Sequence, residues 1–251
     1  MRRPAAAVVV LGVLVLATGA SPRGPEVLFS DAFQGPDGLV TNEYATGHPG
    51  DPHSRISPRW IVTSGSLFRR GDAGTDGPID RSPVGPDSTS ATDSAVFRAY
   101  TRARFDPSYS VRFEARVAAP VLTGGPAWDG FHVIVGARSA AAAYYVSVAR
   151  RDHRAVIKKK TAGGPVAGGF YAAISAYRPF AFPAGRYLPV RVDVTRNDGG
   201  SVSIDLYVGG RPVVSATDDD HAFTGPGRVG LRADWTQIWV RDFRITRAPS
   251  P

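Results

Sequence analysis

The segment Ser110-Val111-Arg112-Phe113-Glu114-Ala115-Arg116-Val117 decides the fold. Its apolar residues Val111, Phe113, Ala115 and Val117 alternate with Arg112, Glu114 and Arg116, which is the two-residue period of a half-buried β-strand. The same period recurs outward in both directions. Phe131, Val133 and Val135 repeat it downstream. Tyr144 to Ala149 and Ala155 to Lys160 flank a charged turn, Arg150-Arg151-Asp152-His153-Arg154, and read as a hairpin. Val190, Val192 and Val194 are expected to pair with Val202, Ile204, Leu206 and Val208 across Asn197-Asp198-Gly199-Gly200. Upstream, Trp60-Ile61-Val62-Thr63 turns at Ser64-Gly65 into Ser66-Leu67-Phe68, again a hairpin signature, with Trp60 and later Trp239 expected in the core. Ala140 to Ala143 is too short for a helix and leads into Tyr144-Tyr145-Val146. Many short strands without crossover helices or internal repeats predict an all-β, two-sheet antiparallel β-sandwich, with essentially no helix after the N-terminal leader.

The ends and the composition set the context. Arg2 and Arg3, an apolar run from Ala5 to Ala17, and the small residues Thr18, Gly19 and Ala20 follow the three-part pattern of a cleavable signal peptide over 1–20. A short tether over 21–25, one domain over 26–247 and a tail over 248–251 complete the expected organisation, and localisation is expected to be secreted. The apolar run is too short to span a bilayer, and no later segment is continuously apolar for about 20 residues, so the mature chain is not expected to be membrane-embedded. The 251 residues contain no cysteine, which excludes thiol nucleophiles, zinc knuckles and redox pairs. The net charge is +8, carried mainly by arginine, and the only lysines are Lys158, Lys159 and Lys160. With no nucleic-acid-binding motif, that charge is not read as a nucleic-acid footprint. Residues 71 to 93, rich in Gly, Asp, Ser and Pro, are expected to be a long loop.

Four framework stretches carry a family likeness. They are Leu28-Phe29-Ser30-Asp31-Ala32-Phe33, Trp60 to Leu67, Gly227-Arg228-Val229-Gly230-Leu231-Arg232, and Val240-Arg241-Asp242-Phe243-Arg244-Ile245. With these the chain resembles the concanavalin A-like lectin/glucanase superfamily, which includes laminin-G-like modules and β-glucanases. The resemblance implies a jelly roll and a structural calcium, with Asp242 and, more weakly, Asp31 as oxygen ligands. The carboxylate strand of the retaining glucanases is missing. The only glutamates are Glu26, Glu43 and Glu114, and Glu114 between Arg112 and Arg116 reads as a salt-bridged solvated position.

The remaining candidates are aromatic and polar. Trp128, Tyr145, Tyr171 and Trp235 stand in or beside loops, where they are expected to stack on sugar rings, joined by Asp129, His132 and Lys159. Alternation turns Lys159 away from Lys158 and Lys160. These residues predict a secreted, non-catalytic carbohydrate-binding module for a polysaccharide, anionic or of the cell wall. The enzyme alternative is a polysaccharide lyase or glycoside hydrolase using His132, Tyr145, Asp129 and Lys159, with Asp234 a further carboxylate. A laminin-G-type protein-interaction module is the third reading.

Overall fold

The computed structural model describes residues 24–77, 96–118, 126–166 and 168–248. The expected signal peptide therefore lies outside the described residues. The strands in chain order are β1 (Val27–Asp31), β2 (Gly38–Asn42), β3 (Trp60–Ser64), β4 (Ser66–Arg70), β5 (Ala73–Thr75) and β6 (Val96–Thr101). Next come β7 (Tyr109–Val117), β8 (Gly130–Ser139), β9 (Ala142–Arg150), β10 (Arg154–Val166), β11 (Gly169–Ala173) and β12 (Arg178–Pro179). The chain closes with β13 (Leu188–Arg196), β14 (Val202–Val208), β15 (Arg211–Asp218), β16 (Arg228–Asp234) and β17 (Ile238–Arg247). A single turn of helix, Tyr44–Gly47, and a 3-10 turn at Asp198–Gly200 are the only helical pieces among the described residues.

These strands form two antiparallel sheets. A nine-stranded sheet runs β15-β14-β13-β7-β17-β5-β4-β2, with β1 added on β17. An eight-stranded sheet runs β11-β10-β9-β8-β16-β6-β3, with β12 added on β10. The expected pairings hold: Val192 faces Leu206 and Val194 faces Ile204, and Ser147 faces Val156 across the charged turn. No described helix is long and apolar enough to cross a membrane.

The core lies between the sheets, where alternation has sent the apolar side chains. Val111, Phe113, Ala115 and Val117 are buried, whereas Arg112 is exposed. An aromatic column ties the layers together. Phe33 stacks on Trp60 at 5.9 Å, Trp60 meets Phe243 at 5.2 Å, Phe243 stacks on Phe113 at 5.6 Å, and Phe113 meets Phe131 at 6.1 Å. The Trp60 indole N–H donates to Asp31 Oδ2 at 2.8 Å, so the buried ring has its partner.

Three expectations are corrected here. The segment around Gly65 is not a hairpin: β3 pairs with β6 in one sheet, and β4 pairs with β2 and β5 in the other. Gly65, at φ 75°, turns the chain from sheet to sheet in one residue, a conformation that glycine adopts without steric cost. Glu43 holds this corner, its carboxylate accepting from Gly65 N at 2.9 Å. Trp239 stands on the outer face of the nine-stranded sheet, with the Arg116 guanidinium 3.9 Å from its ring centroid, and not in the core. The stretch expected as a loop from residue 71 opens with β5, which is buried; residues 78–93 lie outside the described residues. Glu114 is ion-paired as expected, although its partner is Arg241 on the adjacent strand, at 2.7 Å.

Candidate functional site

The outer face of the eight-stranded sheet is unusually apolar at its base. Strands β8 and β9 are buried on both faces for most of their length. Outside the main core, Tyr100, Ile134, Ala137, Ala143 and Tyr145 form a second buried cluster, with Tyr171 packed against it. Such a floor in a sheet's outer face is the usual beginning of a ligand site.

Local chain chemistry sets the walls. Gly130 opens β8 at φ 139°, and a Cβ there would sit 1.9 Å from the Ala149 carbonyl oxygen, so only glycine fits. A bulge follows between Phe131 and His132, after which His132 faces Ser147. The extra residue, Val148, is on β9, and ordinary alternation along β8 points Phe131 into the core and His132 out. The turn before Gly130 carries Trp128, which is 56% exposed. Its carbonyl oxygen is 3.2 Å from His132 Nε2.

The resulting depression of about 250 Å³ is lined by Trp128, Tyr145 and Tyr171 among the rings, and by His132, Arg232 and Asp234 among the polar groups. Lys158, Ser147 and Val166 complete it. Arg232 grips Asp234 with two nitrogens, Nε at 2.8 Å and Nη2 at 2.9 Å, and its third, Nη1, donates to the Tyr171 hydroxyl at 2.9 Å. Burial opposes the Arg232 charge, yet Asp234 raises its pKa and fixes it as a cation. The Tyr100 and Tyr145 hydroxyls are buried and interact electrostatically, but neither makes a hydrogen bond of normal geometry.

His132 is held neutral. Burial lowers its pKa from 6.5 to about 4, against the pull of Asp234 and with help from Arg232, Arg150 and Lys158. Nε2 faces a carbonyl oxygen, so it carries the proton, and Nδ1 accepts from the Ser147 hydroxyl at 3.0 Å. The unfolded chain then binds the extra proton between pH 6.5 and 4 and the fold does not. Stability should be flat from this source above pH 6.5 and fall by about 3 kcal/mol as the pH drops towards 4. Urea titrations across that window should show the loss in wild type and a smaller loss in His132→Gln; parallel losses would contradict a neutral His132.

Five of the expected site residues thus converge here or just behind. Trp128, His132, Tyr145 and Tyr171 line the pocket. Asp129 lies behind the wall, 3.9 Å from Arg151, and its carboxyl is raised by burial and by the charge of Asp234. Lys159 does not belong to the site. It points between the sheets, 2.8 Å from Asp218 Oδ2, because alternation sends it opposite to Lys158. Lys158 takes its place, its ammonium pulled below the usual value by burial and by Arg150 and Arg232. Trp235 is half-buried in the turn after β16 and lies outside the pocket wall. Arg232 and Asp234 are the pocket-lining residues that sequence reasoning underweighted. Leu231 and Ala233 flank them and face the core, so strand alternation was the available signal.

The implied calcium ligands do not converge. Asp31 spends Oδ1 on Phe33 N at 2.8 Å and Oδ2 on the Trp60 indole. Asp242 is exposed on a bulge of β17 at φ 53°. No group of three or more His, Cys, Asp or Glu side chains suited to a metal occurs among the described residues. A larger open groove of about 1010 Å³ lies among residues 30–59 and Arg69, but its lining holds no Phe, Tyr or Trp, so it lacks a sugar-stacking platform.

No protein-family model matches the chain, and no curated protein matches it. Solved structures do resemble it. The carbohydrate-binding module CBM66 from Bacillus subtilis is 12% identical with a TM-score of 0.52, over 74% of this chain and 94% of that one. A Bacillus subtilis protein of unknown function with a galectin-like fold is 10% identical with a TM-score of 0.56, over 90% and 97%. The catalytic domain of an endo-1,3-β-glucanase from Thermotoga petrophila RKU-1 is 10% identical with a TM-score of 0.50, over 90% and 99%. At these identities the likeness is one of fold alone: the two antiparallel sheets form a jelly-roll β-sandwich like those of these solved structures.

Proposed function

We propose that this jelly roll is a secreted, lectin-like module that binds carbohydrate in the Trp128–Arg232 pocket and leaves it chemically unchanged. One observation carries the reading: aromatic faces and fixed polar groups converge in a single depression. Trp128 and Tyr171 offer rings to the C–H faces of a sugar, while Arg232 and Asp234 address its hydroxyl groups. Secretion rests on the leader-like pattern of the first twenty residues.

The chemistry of the groups favours binding over turnover. A histidine with a pKa of about 4 is a weak base at neutral pH. Asp234 is occupied by the Arg232 fork. A second reading, glycoside hydrolysis, is favoured by one feature: Asp129, with its raised carboxyl, lies within electrostatic reach of Asp234, and an acid–carboxylate pair is what hydrolysis requires. Incubation with a panel of neutral and acidic polysaccharides separates the two. Binding predicts retention with neither new reducing ends nor unsaturated uronates. Steady release of either product, lost in Asp234→Asn, would replace the lectin reading by the enzymatic one.

A further inference from the structure

Beyond Tyr100 the same sheet face continues as a cationic surface that the pocket does not use. Register places Arg98 on β6 directly opposite Arg232 on β16. Like charges so placed cost stability and are retained where something offsets them. Arg232 has Asp234, but Arg98 has no carboxylate partner among the described residues, and its Nε is buried without a hydrogen bond. Four residues back along β16, about 13 Å at the rise of a strand, Arg228 repeats the situation. It is half-buried and faces outward, since Val229 and Leu231 face the core, and its Nε is likewise buried without a partner. Arg102 and Arg104 crowd it closely enough to lower its pKa, after burial, by charge repulsion. Both bond only to backbone: Arg102 to the Ser57 carbonyl, and Arg104 to those of Pro226 and Arg138 at 3.5 and 3.4 Å.

The guanidinium groups of Arg228, Arg102 and Arg104 lie close enough to repel one another, and with the Arg228 Nε buried and unspent they are complementary to an anion. A planar carboxylate matches the fork of an arginine, and a carboxylate on a polymer fits the distance from the pocket. We propose that Arg228, with Arg102 and Arg104 beside it, forms a subsite for a uronate unit of an acidic polysaccharide whose neighbouring sugars occupy the pocket, and that Arg98, opposite Arg232, stands at the pocket end of the path. The chain then runs along β16, over the rings of Tyr100 and Tyr145. The proposal rests on the pocket being a glycan site and adds the charge of the ligand and its direction.

Calorimetric binding of digalacturonate, hexagalacturonate, laminarihexaose and a heparin-derived hexasaccharide tests it, using wild type, the double variant Arg102→Gln/Arg228→Gln and Trp128→Ala. Unchanged melting temperatures certify that the exposed-face variants are folded. The double variant should bind hexagalacturonate about ten- to a hundredfold more weakly and digalacturonate as the wild type does. If it binds the hexamer as tightly as wild type, or wild type binds no galacturonate, the subsite is wrong, and retention of laminarihexaose through Trp128 would leave the pocket reading standing. Loss in the double variant with none in Trp128→Ala would keep the subsite and overturn the pocket. A preference for the sulfated hexasaccharide would overturn the uronate assignment.

Discussion

An Arg232→Ala variant is expected to bind glycan about a hundredfold more weakly and to melt well below the wild type. Arg232 is the one side chain that touches both halves of the pocket, gripping Asp234 and donating to Tyr171 at 2.9 Å. Its removal frees the Tyr171 ring and leaves the Asp234 carboxylate, only 4% exposed, without its cation. Breaking a buried pair in this way costs roughly 3–5 kcal/mol, because the remaining charge is desolvated and unpaired. The same change reaches His132. Its Nε2 is 3.6 Å from Asp234 Oδ2, and Arg232 is among the cations that hold its pKa near 4. With Arg232 gone and Asp234 unopposed, the imidazole should titrate distinctly higher, a shift that NMR of the ring protons would read. Arg232→Lys should keep much of the stability but less of the binding, since an ammonium cannot span both carboxylate oxygens and the tyrosine hydroxyl. A variant that binds normally, with His132 still titrating near 4, would remove Arg232 from the centre of the account.

Lys159→Ala should have a comparable cost to the fold and none to the site. The Lys159 ammonium lies 2.8 Å from Asp218 Oδ2 and donates to the Asp220 and His221 carbonyls, while Tyr144 donates to the same carboxylate. Because Lys159 is on β10 and Asp218 on β15, the pair clips one sheet to the other. Truncation should cost roughly 3–5 kcal/mol, a fall in Tm of about 6–20 °C for a domain of this size. The double change Lys159→Met/Asp218→Leu should recover much of that loss, since no charge is left buried. Glycan affinity below the melting transition should equal that of wild type. Lost affinity at unchanged Tm would return Lys159 to the binding face.

The contrast between Lys159 and Lys158 marks how far the residues alone could be read. Alternation correctly set Lys159 apart from its neighbours, but both faces of β9 and β10 are buried. Nothing in the pattern could say which face was the core and which the floor of a site. In Tyr109–Val117 one face is apolar and the other charged, so its orientation was plain from composition. The Ser64-Gly65 corner failed for a different reason. A glycine at positive φ is the local signal of a hairpin and of a strand changing sheets alike, and only long-range pairing distinguishes them. Trp128 and His132 were legible because an aromatic in a Gly-bounded turn and a histidine on an apolar strand stand out. Arg232-x-Asp234 looks like any solvated strand pair until the fold brings Tyr171 and His132 to it.

The central claim, that the pocket on the eight-stranded sheet binds carbohydrate, is tested most directly at Trp128. This ring is 56% exposed, makes no core contact that its loss would empty, and forms the outer wall of the depression. Affinity electrophoresis through gels containing acidic or neutral polysaccharide, with wild type and Trp128→Ala run side by side, should show the wild type retarded in at least one gel. Trp128→Ala should migrate freely in that gel, about tenfold or more weaker in affinity, with an unchanged Tm. Equal retardation of both proteins, or free migration of both in every gel, would contradict it.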